Sequence, residues 1–125
     1  MLDHISIGVA ELGRSATFYD ACLSALGYVR VWTIEHAVGY GPQGGGDKFA
    51  IKSRPGAGNP SPHGFHIAFT AQDSRSVDAF YSAALAHGGE DNGEPGLRPK
   101  YGPGYYAAFV IDPDGHPIEA VWHDR

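Results

Sequence analysis

Two histidines and one glutamate carry the chemistry this 125-residue chain could do: His4 in "HISIGV", His66 in "HIAFTA" and Glu119 in "HPIEAVWH". Each lies in a short run whose side chains alternate between apolar and polar, so each belongs on a strand. Two neutral imidazoles and one carboxylate suit a divalent ion such as iron, manganese, nickel or zinc, with coordination positions left open for a substrate. Glu119 also needs explaining by itself. A carboxylate buried without a partner among Ile118, Val121 and Trp122 is strongly destabilising, and a bound cation relieves that cost.

The elements that must position these residues occur twice. "HISIGVAELGRSATFYDACLSALG" (4–27) aligns without a gap onto "HIAFTAQDSRSVDAFYSAALAHGG" (66–89) at a constant offset of 62, with seven identities in 24 positions. His4 matches His66 among them, which shared apolar periodicity alone does not require. In the first copy Ile5, Ile7 and Val9 alternate with His4, Ser6 and Gly8. A helix with Ala16, Tyr19, Leu23 and Leu26 on one face then runs to a stop at Gly27. The second copy offers Val77, Phe80, Ala84 and Leu85 as the equivalent face. Strand-like segments separated by turns follow each helix, with Asp114-Gly115 as a hairpin turn. The plan is one α+β domain over residues 1–125 built from two β-α-β-β-β modules, 1–54 and 65–125, joined by a Gly/Pro-rich linker at 55–64. Placing "KFAIK" on "PIEAV" makes Ala50 the counterpart of Glu119.

A doubled β-α-β-β-β module, a histidine opening each copy, and "DPDG" followed by a strand glutamate resemble the vicinal oxygen chelate superfamily. That group includes glyoxalase I, extradiol dioxygenases, fosfomycin-resistance transferases and bleomycin-resistance proteins. The resemblance implies two modules forming a curved mixed sheet with helices outside and a metal in its hollow. It puts His4, His66 and Glu119 on the ligand positions, with Glu119 also available for proton transfer. The three are expected to converge on one ion. The implied activity is a small metal-dependent lyase, isomerase or dioxygenase acting on vicinal oxygens of a small substrate, and the implied assembly is a homodimer. The chain departs from glyoxalase I at Ala50, where a fourth, carboxylate ligand is usual. The alternative is a metal-free protein that sequesters a drug or another small molecule, as bleomycin-resistance relatives do.

Other residues bear on the substrate. "GLRPKYGPGYY" (96–106) reads as a surface loop offering Arg98, Tyr101 and Tyr105 to an anionic or aromatic molecule. His123 shares the strand face of Glu119 at its rim, whereas His87 and His116 are expected in solvent. Nine Lys and Arg against fourteen Asp and Glu give a net charge of −5 without a basic cluster, which argues against nucleic acid as a partner. The single Cys22 excludes an internal disulfide, and no membrane-length apolar run is present, so a cytoplasmic setting is expected.

Overall fold

The computed structural model describes residues 1–58 and 63–124. Eight strands and two helices follow one another as two β-α-β-β-β units: β1 (Ile5–Val9), α1 (Leu12–Ser24), β2 (Tyr28–Ile34), β3 (Ala37–Pro42) and β4 (Phe49–Ser53), then β5 (Ile67–Thr70), α2 (Ser74–Ala86), β6 (Glu90–Leu97), β7 (Tyr105–Ile111) and β8 (Pro117–His123). The starts of β1 and β5, and those of α1 and α2, differ by the 62 residues of the sequence repeat. Part of the expected linker, residues 59–62, lies outside the described residues.

Each unit forms one four-stranded mixed sheet, ordered β1-β4-β3-β2 and β5-β8-β7-β6. The first and last strands of a unit run parallel and the others pair antiparallel. This order leaves β1 and β5 each with one edge that no strand of its own sheet covers. Ser6 pairs with Ala50 as Ala68 pairs with Glu119, so the register makes Ala50 the structural counterpart of Glu119.

A single core spans both units. Val9, Phe18, Tyr19, Leu23 and Ile51 of the first join Val77, Phe80, Ala84, Val110 and Ile118 of the second, all at most 1% exposed. The helices pack on their own sheets and on each other, and Phe49 meets Phe69 edge to face across the junction with ring centroids 5.1 Å apart. The expected α1 face is buried throughout. On α2 the face is narrower than expected: Leu85 is 38% exposed, because Ala84, one residue earlier, already occupies the core side.

The "DPDG" turn does more than reverse the chain. Asp114 accepts hydrogen bonds from the Ala10 amide at 2.8 Å, Ser15 Oγ at 2.7 Å and Arg14 Nη2 at 3.1 Å, all at the start of α1. An anion there complements the helix dipole, and α1 has no side-chain cap from its own N-cap residue, Glu11. Asp112 is buried and accepts from Tyr19 Oη at 2.5 Å and from the His116 amide at 2.8 Å. His116 is also fully buried, with Nδ1 2.9 Å from Asp112. The expectation that this residue is solvated is therefore overturned. Burial lowers the affinity of its ring for a proton, but Asp112 and Asp114 outweigh that and raise its pKa above the ordinary histidine value.

Candidate functional site

Alternation along β8 sends Ile118 and Ala120 into the core and Glu119, Val121 and His123 to the opposite face of the sheet. Neighbouring β7 presents Tyr105, Ala107 and Phe109 on that face, opposite His123, Val121 and Glu119 respectively. His66, immediately before β5, borders it from the other side. Glu119 is only 1% exposed, so its charge needs nearby partners. Two are present: His66 Nε2 lies 3.1 Å from Oε1, and the Tyr105 hydroxyl donates a short hydrogen bond to Oε2. Burial and the adjacent Glu119 carboxylate push the Tyr105 pKa up to about 12, so the phenol keeps its proton at neutral pH and remains a donor.

Tyr105 is itself held by aromatic contacts. Tyr101 packs at 5.3 Å between centroids, and His123, at the exposed rim as expected, stands edge to face at 5.0 Å. A cavity of about 420 Å3 opens over the cluster, lined by His66, Asn92, Tyr101, Tyr105, Phe109, Pro117, Ile118 and Glu119. Of the residues expected at substrate, Tyr101 and Tyr105 line it. Arg98 does not: its guanidinium sits 5.4 Å over the Phe109 ring and donates to the Glu94 carbonyl at 2.6 Å. The loop carrying these residues is shorter than its composition implies, because β6 extends to Leu97 and Pro99–Tyr101 form one 3-10 turn. Phe109 and Asn92 were missed. Phe109 was accessible from period 2 counted from Tyr105, whereas nothing in "EDNGEPGL" marks Asn92.

His4 occupies the position before β1 that His66 occupies before β5, so the two histidines are equivalent in the repeat. In the single chain, however, His4 Nδ1 is 2.7 Å from Asp3 Oδ1, and among the described residues no three His, Cys, Asp or Glu side chains stand close enough to hold one ion. His4 and His66 both line a second cleft of about 430 Å3 between the modules, with Tyr28, Tyr40, Phe49 and Phe69 among its walls. His66 belongs to both cavities. As a partial donor set, His66 and Glu119 do fit a divalent ion, since donor atoms 3.1 Å apart can both reach one ion at ordinary bond lengths of about 2.0–2.2 Å.

Among the described residues no helix is long and apolar enough to cross a membrane. The chain is 32% identical to a glyoxalase/bleomycin resistance protein from Albidiferax ferrireducens T118, whose crystal structure superposes with a TM-score of 0.83 over 99% of both chains. A glyoxalase-related enzyme from Fulvimarina pelagi is 19% identical at a TM-score of 0.72, covering 98% of this chain and 87% of that one. The genomically encoded fosfomycin resistance protein FosX from Listeria monocytogenes is also 19% identical, at a TM-score of 0.70 over 99% of this chain and 93% of its own. These last two likenesses establish the fold alone. No curated protein matches the chain. The family profile described as the Glyoxalase/Bleomycin resistance protein/Dioxygenase superfamily matches residues 1–120, and the chain belongs to that superfamily.

Proposed function

We propose that the chain is a metal-dependent enzyme acting on a small molecule with neighbouring oxygens, and that its metal site forms between two copies. The observation that carries this reading is the buried Glu119 carboxylate with His66 Nε2 at 3.1 Å, at the mouth of a cavity large enough for a small ligand. Two ligands hold an ion weakly, and the third comes from the partner subunit's His4. β1 and β5, which His4 and His66 precede, are edge strands of their sheets, as are β2 and β6, and unpaired strand edges favour association. A two-fold axis that brings β1 of one copy beside β5 of the other does so twice, making two equivalent sites.

In such a site His66, Glu119 and the partner subunit's His4 hold the ion. The ion, when bound, acts as a Lewis acid toward the vicinal oxygens and stabilises negative charge developing on them. Tyr105 fixes the Glu119 carboxylate through Oε2, and Oε1, 3.1 Å from His66 Nε2, is the oxygen that would hold the ion with that imidazole. Glu119, the carboxylate in the lining of the cavity, would also take or return a proton on the substrate, with Oε1 released from the ion for that step. The site includes no fourth ligand, a carboxylate from the first module, because that position is Ala50.

A second reading has its own observation. His66, Glu119 and Tyr105 already satisfy one another without an ion, as a metal-free binding site would require. Metal analysis of protein purified without chelator separates the two readings. Near-stoichiometric divalent metal, lost in His66→Ala, together with turnover of dicarbonyl-thiol adducts or catechols supports the enzyme. Equally weak binding of nickel, manganese, zinc and ferrous iron by wild type and His66→Ala rejects it in favour of metal-free binding.

A further inference from the structure

His116 is buried in the turn between β7 and β8 and takes no part in the chemistry proposed above. Its Nδ1 lies 2.9 Å from Asp112, whose oxygens also accept from Tyr19 Oη at 2.5 Å and from the Asp114 and His116 amides at 2.9 and 2.8 Å. A carboxylate only accepts, so Nδ1 carries a hydrogen. Nε2 is equally buried but has no hydrogen-bond partner among the described residues, and a buried polar atom left so is destabilising. Of the groups that favour the protonated ring, the Gly58 backbone is the one outside the turn, and only its carbonyl can accept from an imidazole. Gly58 ends a short strap, residues 54–58, that leaves β4 and folds back over both modules. The Arg54 amide donates to the Val9 carbonyl at 2.9 Å and the Ala57 amide to the Arg54 carbonyl at 3.1 Å. A Cβ on Gly8 of β1 would come within 3.1 Å of the Ala57 Cβ, and one on Gly58 would stand 3.6 Å from the Asp114 carbonyl oxygen. The strap thus runs from the first module onto the turn of the second.

We propose that His116 latches this strap to the β7–β8 turn through a hydrogen bond from Nε2 to the Gly58 carbonyl, and that loss of the Nε2 proton releases it. With a hydrogen on both nitrogens the ring donates to Asp112 and to Gly58 at once. A neutral ring keeps its hydrogen on Nδ1, against Asp112, and turns a bare lone pair toward the carbonyl oxygen. The titratable and charged groups around the turn are Asp112 and Asp114 within it, Tyr19, Cys22 and Arg14 on α1 with Glu11 paired to Arg14, and Arg54 on the strap. Burial pushes the Tyr19 phenol and the Cys22 thiol up, away from neutrality, whereas histidine is the side chain whose charge ordinarily changes there. Burial opposes protonation of His116, but Asp112 and Asp114 outweigh it and raise its pKa. The latch is therefore closed at and below the ordinary histidine value of 6.5 and opens as pH rises through the higher folded value.

Hydrogen exchange of the Ala57 amide in the full chain, followed by NMR from about pH 5.5 to about pH 9, tests the latch. Exchange is expressed as a protection factor, so that base catalysis cancels, and His116 protonation is read in the same samples from its ring nitrogen shifts. The Lys48 amide, which donates to the Tyr40 carbonyl at 2.8 Å within the first module, is the internal control. Ala57 protection is expected to fall about tenfold or more as the ring loses its proton, with one midpoint for both, while Lys48 protection stays within about twofold. His116→Asn keeps a donor for Asp112 but is too short to reach Gly58, and should hold Ala57 at the low value across the whole range. If that variant does not fold, the Gly58 carbonyl carbon shift of the wild type gives a second reading and should move with the same midpoint. Ala57 protection that stays flat while His116 titrates, a midpoint that differs from the ring's, or a ring neutral throughout overturns the proposal.

Discussion

The two modules share a frame and differ in what they mount on it. At the register position where the second carries Glu119 on β8 and Phe109 on β7, the first carries Ala50 on β4 and Gly39 on β3. Trp32 from β2 lies over Gly39 so closely that a Cβ there would overlap the indole. In the second module the arrangement is reversed: Phe109 of β7 lies over Gly93 of β6, where a Cβ would come within 3.0 Å of the ring. Each module thus places one aromatic beside one glycine, but from opposite strands. In the first, Ala50 ends 2% exposed with no group able to coordinate. In the second, the carboxylate, the imidazole and Tyr105 face a cavity. The core positions kept in duplicate, Phe18 and Phe80 among them, are those on which each β-α-β-β-β unit depends, and the residues proposed to coordinate an ion are divided unequally.

The comparison is most readily broken in the core. Phe18→Ala and Phe80→Ala remove equivalent, fully buried rings, so each is expected to cost about 3–5 kcal/mol, and the two to cost similar amounts. Urea unfolding measures both. A large cost from only one would mean that the modules do not carry the core equally.

Helix capping sharpens the contrast. Asp73 caps α2 locally, accepting from the Ser76 amide at 2.8 Å, whereas α1 is held by Asp114 from the other module. Asp73→Ala should cost about 1 kcal/mol. Asp114→Ala removes three charge-assisted bonds, and about 2–4 kcal/mol is expected from the same unfolding experiment. Equal losses would deny Asp114 its role in tying the modules together.

The smallest effect is that of pH. The folded pKa of His116 is raised, so its stabilising contribution is fully present below the unfolded value near 6.5 and is lost as pH rises through the higher folded value. Wild type minus His116→Gln, compared in thermal melts across that window, should show a stability difference that declines toward alkaline pH. A difference that grows with pH contradicts the assignment.

Much of the frame was legible because the repeat is gapless over 4–27 and 66–89, which matches His4 with His66 and β1 with β5; the equivalence of Ala50 and Glu119 came separately, from placing "KFAIK" on "PIEAV", and the sheet register agrees with it. β6 was not legible, since "EDNGEPGL" lacks apolar alternation and its pairing with β7 is interrupted by irregular register. His116 was misread because a residue after a turn is usually exposed, and only the fold buries its neighbour Asp112, which also accepts a hydrogen bond from Tyr19 of α1. Within the site, Glu119 and His66 follow from strand periodicity and the repeat. The separation of His4 from them does not, because it depends on how the two sheets are set around one core rather than on either module's pattern.

A mixing experiment tests the proposal of a metal site shared between two copies most directly. Chains bearing His4→Ala are combined with chains bearing Glu119→Gln, unfolded and refolded together, and titrated with zinc or nickel by calorimetry. Either variant alone should lose affinity by at least about a hundredfold. In a mixed dimer, His66 and Glu119 of the His4→Ala chain meet the partner subunit's His4, so about a quarter of the wild-type sites should return at full affinity under random pairing. No recovery on mixing, or wild-type affinity in the His4→Ala chain alone, would contradict a site built from two copies.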